Sequence, residues 1–272
     1  SVTGGVPKYI ELFSESSDIY RAIQKCVLNR SGYLYDEPHF LLQQEVSEIG
    51  SYFSIIKAIA AGNHKLSAIA AVLEVKSTNL TKYLKTLMDL DILERRVPVT
   101  EENPEKSKRG LYKIKDNYLR FWFAFIYPNM SFIESGHSGI VMDKIRKGLT
   151  TSHIGFVYED ICQERMWELN VNNAWPFQFS KLGGYWDAKN EIDIAALDPE
   201  GKNLILGECK YWKEPVGLNV LHALEAKAGD VAWERDRRKV WYVLFSISGF
   251  SDELRNHAAT RDDLLLIDDG ER

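Results

Sequence analysis

The sequence predicts an α+β protein of several domains: a helical and winged-helix N-terminal half, then an α/β domain with a central mixed sheet. Three observations lead to this expectation. Apolar residues recur at helical spacing through most of residues 7–90. Two short alternating segments, 92–99 and 111–115, follow as strands. From Gly155 onward, helical and strand-like segments alternate, which is typical of a sheet covered by helices.

Composition and charge exclude several classes of protein. The chain has 272 residues, 45% hydrophobic and 27% charged, which is ordinary for globular domains and excludes extended disorder. A net charge of −5 argues against coating nucleic acid by bulk charge, but it allows a local basic surface. No apolar run reaches the roughly 18 residues of a membrane span. Three widely spaced cysteines predict a reducing, cytoplasmic location. Because the chain begins at Ser1, we expect it to be part of a longer protein.

The N-terminal half predicts short helices over residues 7–48 and then a more specific layout. An apolar stripe predicts a helix that ends at Gly62, a plausible C-cap; its members are Tyr52, Ile55, Ile56 and Ile59. A second short helix covers 66–73, and Ser77 is expected to cap a third over 78–90. Three helices followed by a two-stranded ribbon are the layout of a winged helix, whose third helix can enter a major groove.

Basic residues on the third helix and the ribbon predict contact with DNA phosphates. The candidate DNA-binding residues are Lys76, Lys82, Lys85, Arg95, Arg96, Lys108 and Arg109. Three acids near the ribbon tip, Glu101, Glu102 and Glu105, weaken this field. The alternative stays open that the module docks a protein and that its charges are simply solvated.

An aromatic helix and a connection are expected between the two halves. Residues 116–135 include the dense aromatic run 121–127, for which burial between two domains is favoured over stacking on bases. Residues 136–153 predict a connection with a short basic helix at 144–147. The predicted domains are a helical segment 1–48, a winged helix 49–115, a linker 116–153 and a C-terminal domain 154–272.

The C-terminal domain predicts an order of elements close to αβββαβ. Its predicted helices cover 156–169, 219–230 and 253–259, and its predicted strands cover 191–197, 204–212, 239–247 and 264–267. Residues 198–203 have the composition of a turn. The strand 239–247 is almost continuously apolar, as a strand buried on both faces would be.

Two carboxylates and a lysine are expected to converge on the hairpin of this domain. If Leu197 pairs with Leu204 across the six-residue turn, Asp193 falls opposite Glu208. Lys210 then projects from the same face as Glu208, since side chains alternate along a strand. Like charges this close are unfavourable unless a cation compensates them, and Mg²⁺ prefers one or two carboxylates plus water and phosphate oxygens. The open alternative is a hairpin with an ordinary salt bridge.

The hairpin residues Ile192-Asp-Ile194 and Gly207-Glu-Cys-Lys-Tyr-Trp212 resemble the PD-(D/E)XK, restriction-endonuclease-like superfamily. The resemblance is greatest to the DUF234-type domain at the C-terminus of archaeal-type AAA+ ATPases, which also occur in bacteria. Further segments that resemble these ATPases extend over essentially the whole chain; they are 3–9, 35–38, 107–112, 116–122 and 127–129.

The resemblance implies a restriction-endonuclease-like fold and metal-dependent phosphodiester cleavage with Mg²⁺ or Mn²⁺. It implies Asp193 and Glu208 as metal ligands, Lys210 as the catalytic lysine and Glu159 as a further catalytic acid. The chain has no Gly-rich phosphate loop with Lys-Ser/Thr, so we expect no ATP site in it. DNA is the expected partner, with an ATPase core in cis or in trans. The alternatives are a non-catalytic regulatory module of the ATPase that binds DNA or protein, and a transcription regulator that uses only the winged helix.

Overall fold

The computed structural model describes residues 1–270 and divides into two compact units. Unit 1 consists of residues 1–96 and 110–153, and unit 2 of residues 97–109 and those from 154 onward. The α+β class, with a helical and winged-helix half before a mixed sheet, is confirmed. None of the helices between residues 1 and 270 has the length and hydrophobicity that crossing a bilayer requires.

Unit 1 is mostly helical. Its helices are α1 (Pro7–Ser14), α2 (Ile19–Cys26), α3 (Glu37–Glu45), α4 (Ile49–Ala60), α5 (Leu66–Val72), α6 (Ser77–Asp89), α7 (Asn117–Phe121), α8 (Met130–Glu134) and α9 (Ser138–Leu149). Its strands are β1 (Leu93–Arg96) and β2 (Leu111–Ile114), which pair antiparallel. The predicted apolar stripe of α4 is buried, and Gly62 has the positive φ of a helix C-cap, +94°.

The winged helix is present, with two corrections. Ser77 is the first residue of α6 rather than its cap, because Lys76 occupies the N-cap position and makes no side-chain capping bond. The strand predicted over 92–99 is only Leu93–Arg96. Pro98 has no N–H for a ladder, and the Val99 N–H donates instead to the Gly184 carbonyl of unit 2, at 3.0 Å. Residues 97–109 therefore leave the ribbon and pack with unit 2.

The aromatic segment is buried within unit 1. After α7 the chain continues as a π-helical turn, Trp122–Ile126, and a 3₁₀ turn, Tyr127–Asn129. Trp122 and Phe123 are fully buried and pack edge-on or tilted against Phe53 of α4. Four of the five residues of the π-helical turn are buried. The segment is thus core material of the helical unit.

The segment expected as a connection with a short basic helix is instead the regular helix α9. It buries Val141, Met142, Ile145 and Leu149, and its basic residues Arg146 and Lys147 lie in its last turn. The basic residues at 144–147 indicate only the last part of this helix. The longer helix forms because its apolar residues recur at spacings of three and four and so bury one face.

Unit 2 is a five-stranded mixed sheet with helices. In chain order it contains α10 (Gly155–Val171), β3 (Lys181–Trp186), β4 (Glu191–Leu197), β5 (Asn203–Lys210), α11 (Leu218–Ala228), β6 (Lys239–Ser246), α12 (Asp252–Ala258) and β7 (Leu264–Asp268). The sheet order is β3-β4-β5-β6-β7. The first three strands pair antiparallel, whereas β5, β6 and β7 pair in parallel.

Both faces of the sheet are covered, which positions the candidate site. On one face Leu204 and Leu206 of β5 pack with Leu221 and Leu224 of α11. On the other face, Ile205 and Cys209 of β5 pack with side chains of α10, namely Tyr158, Cys162 and Met166. Strand alternation therefore sends Glu208 and Lys210 toward the α11 face; the sequence had predicted that they share a face, but not which helix covers it.

Strand β3 has no counterpart among the strands predicted from the sequence. It contains Gly183-Gly184, and glycine is depleted in strands. The pairing with β4 shifts register between Gly183 and Tyr185, so the strand carries an irregularity at these glycines. Tertiary pairing with β4 and the contact of Val99 hold this weak segment in the sheet.

Candidate functional site

The site begins where the β4–β5 ladder ends. The observed register pairs Leu197 with Leu204 and Ile194 with Gly207, as predicted, but the ladder ends there and does not include the predicted pair of Asp193 with Glu208. One residue further on, the Asp193 side chain takes the place of a ladder bond: its Oδ2 accepts from the Cys209 N–H at 2.8 Å. The carboxylate of one strand is thereby fixed against the backbone of the next.

Three of the predicted residues meet at this point. Lys210 Nζ lies 2.5 Å from Glu208 Oε2 and 3.5 Å from Asp193 Oδ2. The side chains are largely buried, with exposed fractions of 17% for Asp193, 8% for Glu208 and 18% for Lys210. Two carboxylates from neighbouring strands thus share one ammonium group.

Lys227 is a fourth member that the sequence analysis missed. From the last turn of α11 its Nζ reaches Glu208 Oε1 at 2.7 Å and the Glu191 carbonyl at 2.8 Å. Both oxygens of Glu208 are therefore bonded to ammonium groups. The available signal was a lone lysine in the last turn of a predicted helix, and nothing in its spacing tied it to the hairpin.

Burial and charge act against each other in this cluster. Burial and the neighbouring Glu208 charge raise the pKa of Asp193 above its ordinary value. Burial would also raise the pKa of Glu208, but Lys210 and Lys227 outweigh it and lower that pKa. Burial works to lower the pKa of Lys210, and the charges of Asp193 and Glu208 overcome it and raise the pKa. The ammonium form of Lys210 is thus favoured, so its role here is that of a donor and a positive charge.

Glu159 lies on α10, the helix on the other face of the sheet. Its link to the cluster is electrostatic: the Glu159 charge acts on the thiol of Cys209, the residue between Glu208 and Lys210. Burial, Cys162 and the charges of Asp193 and Glu159 together raise the pKa of the Cys209 thiol. One turn after Glu159, Gln163 Nε2 donates to the Asp193 carbonyl at 3.4 Å. Helix α10 thus supports the backbone that carries the Asp193 carboxylate.

The donor set is compatible with a divalent cation. Among residues 1–270 no group of three or more His, Cys, Asp or Glu side chains is placed to hold a metal ion. Asp193 and Glu208 are a pair of hard oxygen donors, and Mg²⁺ is commonly held by one or two carboxylates completed by water and phosphate. The Lys210 ammonium contacts both carboxylates, so positive charge is favourable at this point. The two carboxylates are thus of the ligand type that Mg²⁺ or Mn²⁺ takes, while both Glu208 oxygens accept from ammonium groups here.

The candidate DNA-binding residues lie in both units. In unit 1, Lys76, Lys82 and Lys85 are exposed at the start and along the outer face of α6. Arg95 and Arg96 are half-buried on β1, where Arg96 pairs with Glu94.

The remaining two candidates, Lys108 and Arg109, lie in unit 2, and Lys108 is exposed. The Arg109 Nε donates to Glu101 at 2.5 Å, and the Arg109 carbonyl accepts from the Trp186 indole at 3.0 Å. Arg109 thus fastens residues 97–109 to the edge strand β3.

Comparison with known proteins relates the chain to proteins whose function is not established. Residues 122–227 match the family DUF234, described as archaea bacterial proteins of unknown function. The chain is 38% identical over 210 residues to the uncharacterized protein MJECL04 of Methanocaldococcus jannaschii. That match covers 77% of this chain and 46% of the relative, so the chain spans about half the length of the curated relative.

A solved structure with a distant likeness is the crystal structure of a repair endonuclease from Pyrococcus abyssi. The sequence identity is 12%, and the superposition covers 38% of this chain and 44% of that chain. The TM-score is 0.26, which is too low to establish a shared arrangement. This likeness therefore carries no information about the chemistry of the site.

Proposed function

We propose that unit 2 is a Mg²⁺- or Mn²⁺-dependent phosphodiesterase of the PD-(D/E)XK type that cuts DNA. The observation that carries this proposal is the convergence of Asp193, Glu208 and Lys210 at one end of the hairpin. Burying two carboxylates next to each other lowers the stability of the folded state. A reaction that requires both carboxylates side by side would explain why the fold keeps them there. We also propose that the chain is the C-terminal part of an archaeal-type AAA+ ATPase, acting with an ATPase core in cis or in trans.

Each side chain of the cluster has its own task in the proposed cleavage. Asp193 and Glu208 would hold the cation, which when bound would supply Lewis-acid chemistry for the phosphodiester and for the attacking water. Lys210, in its ammonium form, donates to the phosphate and stabilises the negative charge that develops on it. Lys227 keeps Glu208 oriented through its bond to Oε1. Glu159 acts as a further acid from α10.

The basic residues of the winged helix are proposed to bind DNA phosphates. The exposed lysines on α6 support this, because a cation must be accessible at the protein surface to contact a phosphate. Two further statements stay predictions. One is the cytoplasmic location, and the other is the division of the chain into the segments 1–48, 49–115, 116–153 and 154–272.

A second candidate function is a non-catalytic module that binds DNA or protein and regulates the ATPase. The specific observation in its favour is that Lys210 and Lys227 already balance the charges of Asp193 and Glu208. Such a cluster is satisfied without a metal, as a structural ion network would be.

Cleavage assays separate the two candidates. Purified protein with Mg²⁺ or Mn²⁺ is expected to cut plasmid or single-stranded DNA, and Lys210→Ala is expected to abolish cutting. Lys202→Ala is the matched control, because Lys202 forms an exposed pair with Glu200 at the turn end of the same hairpin. DNA that stays intact with both metals, or equal cutting by Lys210→Ala, overturns the catalytic proposal.

Calorimetry tests the metal separately from cutting. Mg²⁺ or Mn²⁺ titrated into the wild-type protein is expected to release or absorb heat with saturation. Asp193→Asn is expected to lose this binding, since the substitution removes a charged ligand while keeping the size of the side chain. Equal binding by both proteins contradicts the assignment of Asp193 as a ligand.

A further inference from the structure

We propose that Trp212, beside the Asp193–Glu208–Lys210 cluster, stacks on an unpaired base. The site would therefore bind single-stranded DNA. The inference rests on the proposed function for what the neighbouring groups do. It goes beyond that function by naming the form of the substrate and the residue that selects it.

Trp212 lies beside the cluster. Strand β5 ends at Lys210, and Trp212 follows two residues later. The intervening Tyr211 packs edge-on against Tyr158 of α10, on the other side of the sheet, with ring centroids 5.5 Å apart. The Trp212 ring centroid is 5.8 Å from Lys210 Nζ, the group that contacts both carboxylates. A phosphate held at Lys210 would therefore have the ring within reach of a flanking base.

The ring is exposed where burial would be expected. Trp212 is 47% exposed. The other large, exposed apolar side chains of the described residues 154–270 all belong to α10; they are Phe156, Ile161, Trp167 and Val171. An isolated exposed tryptophan next to a charged cluster is thus a local feature of the site rather than part of that helix surface.

The backbone, rather than the ring, fixes this residue. The Trp212 carbonyl accepts from Ser248 Oγ at 2.5 Å. A few residues on, Val216 forms a parallel bridge with Phe250 and its N–H donates to the Gly249 carbonyl at 2.9 Å. The segment is therefore held at two places while the aromatic face stays accessible. A preformed surface of this kind binds with little loss of conformational freedom.

The contact with Lys210 leaves the ring free for another partner. A distance of 5.8 Å is near the outer limit of about 6 Å for a cation–π contact, and an exposed contact is worth about 0.5–1 kcal/mol. Stacking of a base on an aromatic side chain is worth about 1–3 kcal/mol. The base must first be unstacked and unpaired, which is easiest in a single strand. The arrangement thus favours single-stranded over duplex DNA.

Binding measured without metal tests this inference apart from cleavage. Fluorescence anisotropy is recorded in EDTA at one fixed salt concentration, with a labelled single-stranded oligonucleotide and with its duplex. Trp212→Leu is expected to weaken single-strand binding about tenfold and duplex binding much less. Trp212→Phe is expected to restore most of the affinity, because a flat ring remains. Trp167→Leu is the matched control, since Trp167 is 43% exposed on α10 and lies outside the site.

The outcomes separate this inference from the proposed function. Unchanged single-strand binding by Trp212→Leu, or equal losses for the two DNA forms, overturns the inference even where the wild type cuts DNA. A loss of cutting with unchanged binding also overturns it, because Trp212 would then act only on Lys210. Trp212-dependent binding in a protein that never cuts DNA supports the inference and rejects catalysis.

Discussion

Two ion pairs of nearly equal length lie in very different surroundings. In unit 1, Lys85 Nζ and Asp89 Oδ2 are 2.8 Å apart on α6, and their side chains are 72% and 62% exposed. In unit 2, Lys227 Nζ and Glu208 Oε1 are 2.7 Å apart, with 28% and 8% exposed. The distances alone would rank the two pairs as equals.

Burial separates them. Water screens the exposed pair and competes for its charges, so its net contribution is small. The buried pair has lost that water, so its attraction is stronger and the cost of leaving either partner alone is larger. The charges on α6 therefore change the free energy of folding little and can form a solvated or a DNA-binding surface. The buried charges at the hairpin lower the stability of the fold unless they are paired. A catalytic role for these charges would explain why they are kept at that position.

The largest expected effect comes from removing Lys210. Lys210→Met leaves Asp193 and Glu208 with one ammonium group between them, and we expect the free energy of unfolding to fall by about 3–5 kcal/mol. Urea denaturation followed by circular dichroism measures it. Lys202→Met, which removes an exposed partner of Glu200, is expected to change stability by less than about 1 kcal/mol. Similar losses for the two variants would remove the contrast between buried and exposed charges.

A smaller effect is expected in the coupling within each ion pair. A double-mutant cycle of Lys227→Met with Glu208→Gln is expected to give a coupling energy of about 2 kcal/mol. The corresponding cycle of Lys85→Met with Asp89→Asn is expected to give about 0.3–0.5 kcal/mol. Unfolding free energies of the single and double variants provide both values. A larger coupling on α6 than at the hairpin contradicts the role given to burial.

The smallest effect on stability, but a clear one on DNA binding, is expected on α6. Replacing Lys82 and Lys85 by Gln should change the free energy of unfolding by no more than about 0.5 kcal/mol each. If both contact phosphates, the slope of log affinity against log salt should fall by about 2. Lys8→Gln is the control, because Lys8 is an exposed lysine of α1 outside the predicted DNA-binding set. An unchanged slope in the α6 variant would favour the reading of these lysines as a solvated surface.

Local pattern and chain connectivity made much of the fold predictable. The register of β4 and β5 followed from a six-residue turn and the pairing of Leu197 with Leu204, because a short hairpin allows few alternatives. The helix α4 followed from its apolar stripe, and its end followed from Gly62. In each case the interacting residues are close in the chain, so the pattern contains the information.

Features that depend on distant residues were not predictable. β3 contains Gly183-Gly184 and is a strand because β4 pairs with it. The strand predicted over 92–99 ends at Arg96, since the Val99 N–H finds its acceptor in Gly184 of unit 2. Lys227 joins the site because α11 packs on the face of the sheet that carries Glu208.

The sequence by itself determined which charged residues would meet across the hairpin, because strand alternation and turn length are local properties of the chain. Only the tertiary structure decided how those charges are balanced. Packing of α11 brings Lys227 to Glu208, and the ladder that ends at Ile194 lets Asp193 bond to the backbone of Cys209. Burial by both helical layers then sets the strength of each interaction, since the local dielectric depends on everything packed around a charge.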